Sequence, residues 1–143
     1  ARGIVAIDNS KATNPHAADS ALAGHDSVIW VAGGQLKGAE VDDLVARHAH
    51  RLKAVALMGV DRNIIRESVE KHAPGVPIFV TDDTDPQSAM DAVCAWAVTQ
   101  ASSGDAIVLA PAAASLDMYT GMGQRGVLFA ESVSAHLGGV APK

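Results

Sequence analysis

Five short runs rich in valine and isoleucine restrict this chain more than any other feature: GIVAID (3–8), SVIWVAG (27–33), AVALMG (54–59), VPIFVT (76–81) and AIVLAP (106–111). Each is almost continuously apolar. A strand with one wet face alternates, so unbroken runs point to strands covered on both faces, as in a parallel sheet between layers of helix. The intervals carry helix signals. Asn14 and Pro15 form an N-cap and first-turn pair, and Gly24 is placed as a stop. Val41, Leu44, Val45 and His48 recur at helical spacing, and Pro74 closes a segment carrying Ile65, Val69 and His72. Asp85 and Pro86 repeat the capping pair, Gly104 is expected to end the helix they start, and Phe129, Val133 and Leu137 line a last helix running into Gly138 and Gly139. The alternation predicts an α/β fold: a Rossmann-like, doubly wound, mostly parallel sheet of five to six strands, with helices on both faces and right-handed crossovers. The 143 residues make one domain, residues 1–143, with the tail GGVAPK expected to fray.

Charge and cysteine usage remove several classes of function. Eleven Lys plus Arg against sixteen Asp plus Glu give a net charge of -5, and the basic residues are scattered, so no nucleic-acid partner is expected. No apolar run nears the roughly 18 residues of a membrane span, and no basic-then-apolar leader opens the chain. A cytoplasmic protein without a membrane partner is the expectation. The chain opens at Ala1 with GIVAID two residues later, which reads as a piece of a longer polypeptide or a processed one. Cys94 shares a helical face with Met90, Val93 and Ala97, and is expected to be buried and inert.

In open α/β sheets, ligands settle beyond the carboxyl ends of the strands, where helix N-termini also point. The segments there are NSKATN, GGQLKG, GVDRN, TDDTD and PAAASLDMYTGMGQRG. Lys11 and Lys37 supply two positive charges, Thr13 and Ser115 hydroxyls, and Gly33, Gly34 and Gly38 let backbone amides come close to a ligand. Two separated ammonium groups suit a small molecule with two carboxylates, or a carboxylate and a phosphate. Each piece also has a plainer use: Thr13 and Asn14 as helix caps, Ser115 and Asp117 as another capping arrangement, the lysines as solvated loop residues. The three loops on one edge together favour the site.

Other motifs are missing. GGQLKG lacks the order of a P-loop, no G-x-G-x-x-G follows the first run, and Ser115 lacks a nucleophile elbow. The six histidines make no zinc pattern and are expected solvated or half-buried; TDDTD (81–85) is expected to be a solvated acidic loop with Asp85 as a cap, so no metal site is expected. A free-standing flavodoxin-like binding or signalling module stays open, since Gly59 and Asp61 partly match the acidic pattern of a receiver domain.

DNSKATNP, GGQLKG and LAPAAASLDMYTGMGQRGVLF, in this order, resemble the C-terminal domain of the Mur ligase family, in its D-glutamate-adding branch. The likeness runs from about residue 3 to residue 137; a folylpolyglutamate synthase-like domain shares the architecture but has no reason to carry both SKATN and ASLD with QRG. The resemblance implies a three-domain cytoplasmic ligase of peptidoglycan synthesis. In such an enzyme the first domain holds UDP-N-acetylmuramoyl-L-alanine, the central one holds ATP and Mg2+ through a P-loop, and the third brings D-glutamate. This chain is similar to the third alone, so it is expected to bind no cofactor by itself and to be inactive without the others.

Carried over by motif, the resemblance makes Lys11 and Thr13 amino-acid and nucleotide-side contacts, with Lys11 also offsetting charge during catalysis. Lys37 becomes the partner of a D-glutamate carboxylate, Ser115 with Leu116 the clamp on the other carboxylate, and Met122 stands where relatives pack a phenylalanine. Relatives commonly read Asn-Asp before SKATN, whereas this chain reads Asp8-Asn9. Neighbouring strand residues face opposite sides, so of these two nucleotide-side candidates Asn9 is expected by register to meet the ATP ribose.

Overall fold

The computed structural model describes residues 3–115 and 118–138. Its strands are β1 (Val5–Asp8), β2 (Val28–Gly33), β3 (Leu52–Met58), β4 (Ile78–Val80) and β5 (Ala106–Leu109), in the order β1-β5-β2-β3-β4. Every neighbouring pair is parallel. The five apolar runs are thus the five strands. Of the inner strands β2 and β5 are buried throughout and β3 is buried except at Lys53, while β1 and β4, at the edges, are largely half-buried.

The helices are α1 (Pro15–Ala23), α2 (Asp42–His48), α3 (Arg62–His72), α4 (Pro86–Gln100) and α5 (Met122–His136). Ala18 and Leu22 of α1, Leu44 and Val45 of α2, and Ile65 and Val69 of α3 pack on one face of the sheet, against Trp30, Val55, Leu57 and Val108. Met90, Val93 and Ala97 of α4 and Phe129 and Val133 of α5 pack on the other, against Ile29, Val31, Ala56 and Ile107. Right-handed crossovers require this split. The steps β1 to β2, β2 to β3 and β3 to β4 all run one way across the sheet and set their helices on one face; the return from β4 to β5 runs back and sets α4 on the other.

Because β5 lies between β1 and β2, the chain leaves β5 toward one face and leaves both neighbours toward the opposite face. The loops there diverge and open a crevice at their carboxyl ends.

Three local expectations change. Helix α4 stops at Gln100, and Gly104 (φ 94) serves the turn before β5 rather than the helix end. Helix α5 begins at Met122 with Gly121 at its N-cap, so Ser115 does not cap it, and Asp117 lies outside the described residues. His48, expected solvated or half-buried, is buried: its Nε2 hydrogen-bonds Asp19 Oδ1 (2.5 Å) while Arg47 donates to Asp19 Oδ2 (2.9 Å), tying α2 to α1. The His48 bond, aided by Arg47 and outweighing burial, holds the Asp19 carboxyl below its ordinary range. Cys94 is buried as expected, and burial pushes its thiol up to about 12.

At the opposite end of the sheet, the pairing of β2 with β3 slips by one residue at Lys53. Lys53 Nζ donates to Asp105 Oδ2 (2.5 Å), Ser27 Oγ to Asp105 Oδ1 (2.7 Å) and the Ser102 N–H to Asp105 Oδ2 (2.7 Å). Burial pushes the Asp105 carboxyl up, and these donors together more than reverse it, so its pKa is lowered. A lowered folded-state pKa adds stability above the ordinary carboxylate pKa, and that stability is lost as pH falls through the folded value. Asp105→Asn is therefore expected to lose about 1–3 kcal/mol at pH 7. In urea unfolding across pH, its gap from the wild type should close below about pH 4.

Candidate functional site

The crevice is lined by the loops after β1, β2 and β5, and backbone bonds lock them together. Ala112 N donates to Ala12 O (2.9 Å), joining the first and fifth loops. Gln35 N donates to Ala114 O (2.9 Å) and Ala114 N to Gln35 O (2.8 Å), a small antiparallel bridge between the second and fifth. Gly33 N donates to Pro111 O (3.0 Å). Lys37 is two residues from one side of that bridge and Ser115 one residue from the other, so both belong to one rim.

Backbone strain gathers at the same place. Among the described residues, Lys37 (φ 54) and Ala112 (φ 61) are the two non-glycine residues in the left-handed region, and both sit in these loops. Such a conformation costs about 1–2 kcal/mol per residue and persists where surrounding bonds enforce it. The strained Lys37 backbone carries an exposed side chain.

Strand alternation sends Asp8 and Asn9 to opposite sides of the sheet. Ala6 packs on the α4–α5 face and Ile7 on the α1 face, so Asp8 points toward α5 and Asn9 toward α1. Asp8 Oδ1 accepts the Ser10 N–H (3.0 Å), and Oδ2 lies 2.9 Å from where a Cβ on Gly126 would stand. Asn9 instead borders an open trough of about 440 Å³ with Lys11, Ala12 and the small α1 residues Ala17, Ser20 and Ala21. Asn14 caps α1, its Oδ1 accepting the Ala17 N–H (2.9 Å), while Thr13 is half-buried with its N–H on Lys11 O (2.9 Å).

Ser115 is buried, and its carbonyl accepts the N–H groups of Met118 (3.2 Å) and Tyr119 (2.8 Å). Leu116 lies outside the described residues. Met122 opens α5 and is 43% exposed, so it is not buried as a wall. Asp85 caps α4 on the Ser88 N–H (2.9 Å) as expected, and the exposed Asp82 pairs with Arg62 (2.9 Å).

Sequence reasoning assigned no role to Arg125. It is fully buried, and its guanidinium reaches all three loops: Nη1 donates to Gly33 O (3.2 Å), Nη2 to Ala113 O (2.9 Å) and, at 3.5 Å, to Ser10 O. The signal was present. Arg125, Phe129 and Val133 fall four apart on one helical stripe, and a charge on a buried stripe marks a residue with polar work inside. Gly126, next to it, lets α5 approach the first loop; a Cβ there would stand 2.6 Å from Ser10 Oγ.

Strand order and loops together define a domain of the doubly wound α/β class, with its crevice on the loops around β5. No protein-family model matches the chain. A UDP-N-acetylmuramoylalanine–D-glutamate ligase of Corynebacterium diphtheriae is 69% identical over 136 residues, which cover 95% of this chain and 29% of that protein. The enzyme of the same name from Corynebacterium efficiens is 59% identical over 141 residues (99% and 30%), and that of Streptomyces avermitilis 50% over 131 residues (92% and 28%). The chain belongs to this branch of the Mur ligases, as their C-terminal region. It spans under a third of the length of these relatives. The reading as a free-standing signalling module is not favoured.

Proposed function

We propose that this chain is the D-glutamate-presenting domain, residues 1–143, of an ATP-dependent ligase that joins D-glutamate to UDP-N-acetylmuramoyl-L-alanine in the cytoplasm, for peptidoglycan precursor synthesis. UDP-binding and ATP-binding domains lie elsewhere in that enzyme, and this part alone is inactive. The observation that carries the reading is the Gln35–Ala114 bridge, which gathers Lys37 and Ser115 at one rim. In this reading Mg2+ is held with ATP by the ATP-binding part, and no step here runs through it; among the described residues no group of three His, Cys, Asp or Glu is arranged to hold a metal ion. Nor is any helix among them long and apolar enough to cross a membrane.

The chemistry accounts for the residue types. ATP phosphorylates the terminal carboxylate of the nucleotide-linked substrate; the D-glutamate amine attacks the acyl carbon, and the tetrahedral anion collapses to an amide as phosphate leaves and the nitrogen gives up a proton. The domain must grip a dianionic amino acid by its carboxylates and leave the amine free. Lys37 takes one carboxylate; Ser115 and Leu116 take the other. Lys11, at the mouth of the trough, offsets charge as phosphate departs, with Thr13 beside it and Asn9 against the ribose.

In the full-length ligase, Lys37→Ala is expected to raise KM for D-glutamate about tenfold or more while leaving KM for ATP unchanged, and Lys11→Ala to cut kcat more than it raises that KM. Steady-state kinetics decide the matter. An unchanged D-glutamate KM in Lys37→Ala overturns the reading.

A further inference from the structure

We infer that Asp61 is a positioning residue that holds the Lys37 loop in its binding shape without touching the substrate, an inference that rests on the proposed role of Lys37. Asp61 stands at the N-cap of α3, where an aspartate ordinarily accepts from the first N–H groups of its own helix. It makes no such bond. Its Oδ2 instead accepts the Leu36 N–H at 2.7 Å, and its own N–H donates to Gly34 O at 3.0 Å. One residue thus grips the loop on both sides of Gln35, and the donor it holds immediately precedes Lys37.

That loop needs an outside hold. Beyond the end of β2, Gly34 (φ 136), Lys37 (φ 54) and Gly38 (φ 83) all lie at positive φ, so no run of helix or strand sets their geometry. The Gln35–Ala114 bridge pins its first half, and a turn from Ala39 N to Leu36 O (3.0 Å) closes its second. Between these the Asp61 carboxylate fixes the plane of the Gln35–Leu36 peptide, one residue ahead of Lys37. Leu36 is buried, so without Asp61 its N–H would be left without this acceptor and the loop would gain by rotating.

Three variants of the full-length ligase separate this from a general structural role. Asp61→Ser keeps a side chain able to cap α3 but too short to reach Leu36, and is expected to raise KM for D-glutamate about tenfold, with kcat, KM for ATP and the melting temperature near wild type. Asp61→Asn keeps an acceptor oxygen at the right length and should bring the D-glutamate KM back to within about threefold of wild type. Lys37→Ala is run alongside. If it leaves the D-glutamate KM unchanged, the reading of the rim fails. If it raises that KM and Asp61→Ser does not, the rim stands and the positioning role falls. An Asp61→Asn enzyme as impaired as Asp61→Ser would also overturn the inference, since charge rather than the bond to Leu36 would then matter.

Discussion

Arg125→Ala is expected to destabilise the domain by about 3–5 kcal/mol and to leave the ligase without measurable turnover. The guanidinium is wholly enclosed, and its donors end on carbonyls of the loops after β1, β2 and β5. Two effects add when it goes. Carbonyls of Gly33 and Ala113 lose this buried donor, each at about 1–3 kcal/mol, and a void opens between α5 and the sheet. The values overlap because the loops relax together, so their sum is an upper bound. Lysine does not substitute, for one ammonium on a flexible stem lacks the planar fork that spans three acceptors. Arg125→Met separates packing from stitching, since it fills much of the volume and donates nothing. Its urea midpoint should fall less than that of Arg125→Ala, while D-glutamate binding falls as far. A methionine variant with wild-type kinetics would show that the three carbonyls do not need their common donor.

Asp61 and Arg125 mark where the sequence was and was not legible. Local information reads well: the apolar runs became strands, Asn14–Pro15 and Asp85–Pro86 became caps, and Cys94 fell in the core because each depends on neighbours within a few residues. The position of β5 between β1 and β2 is different. It depends on contacts some 80 to 100 residues apart, as in the pairing of Val5 and Val28 with Ala106, and no local pattern encodes it. The same holds for the slip at Lys53 and for His48, whose burial is decided by Asp19 on another helix.

The rim was half legible. Expecting ligands beyond the carboxyl ends singled out the loops that the structure joins by backbone bonds, and the three motif blocks named the lysines. What spacing does not carry is the direction of a side chain. Asp61 reads as an ordinary helix cap until the structure shows its carboxylate turned to Leu36, and Asp8 and Asn9 separate only once β1 is placed between the α1 and α5 layers. The left-handed conformation of Lys37 was equally hidden, since a lysine followed by glycine more often leaves that conformation to the glycine.

Gly33→Ala at the end of β2 and Gly38→Ala in the loop that follows, five residues apart, are expected to differ several-fold in cost. Both glycines have positive φ, so an alanine at either is disfavoured by about 1–2 kcal/mol on backbone grounds. Their surroundings differ. A Cβ on Gly33 would stand 1.8 Å from the Met58 carbonyl oxygen and 2.8 Å from its carbon, inside the β2–β3 pairing, where neither backbone can yield without breaking the sheet. A Cβ on Gly38 meets nothing within 4 Å. Adding an overpacking cost of about 1–3 kcal/mol brings Gly33→Ala to about 3 kcal/mol or more, against about 1 kcal/mol for Gly38→Ala. Chemical unfolding measures the difference directly. Equal midpoints would mean that the β3 backbone at Met58 gives way freely, and a yielding strand end could not hold the Lys37 loop in the shape that the proposed carboxylate binding requires.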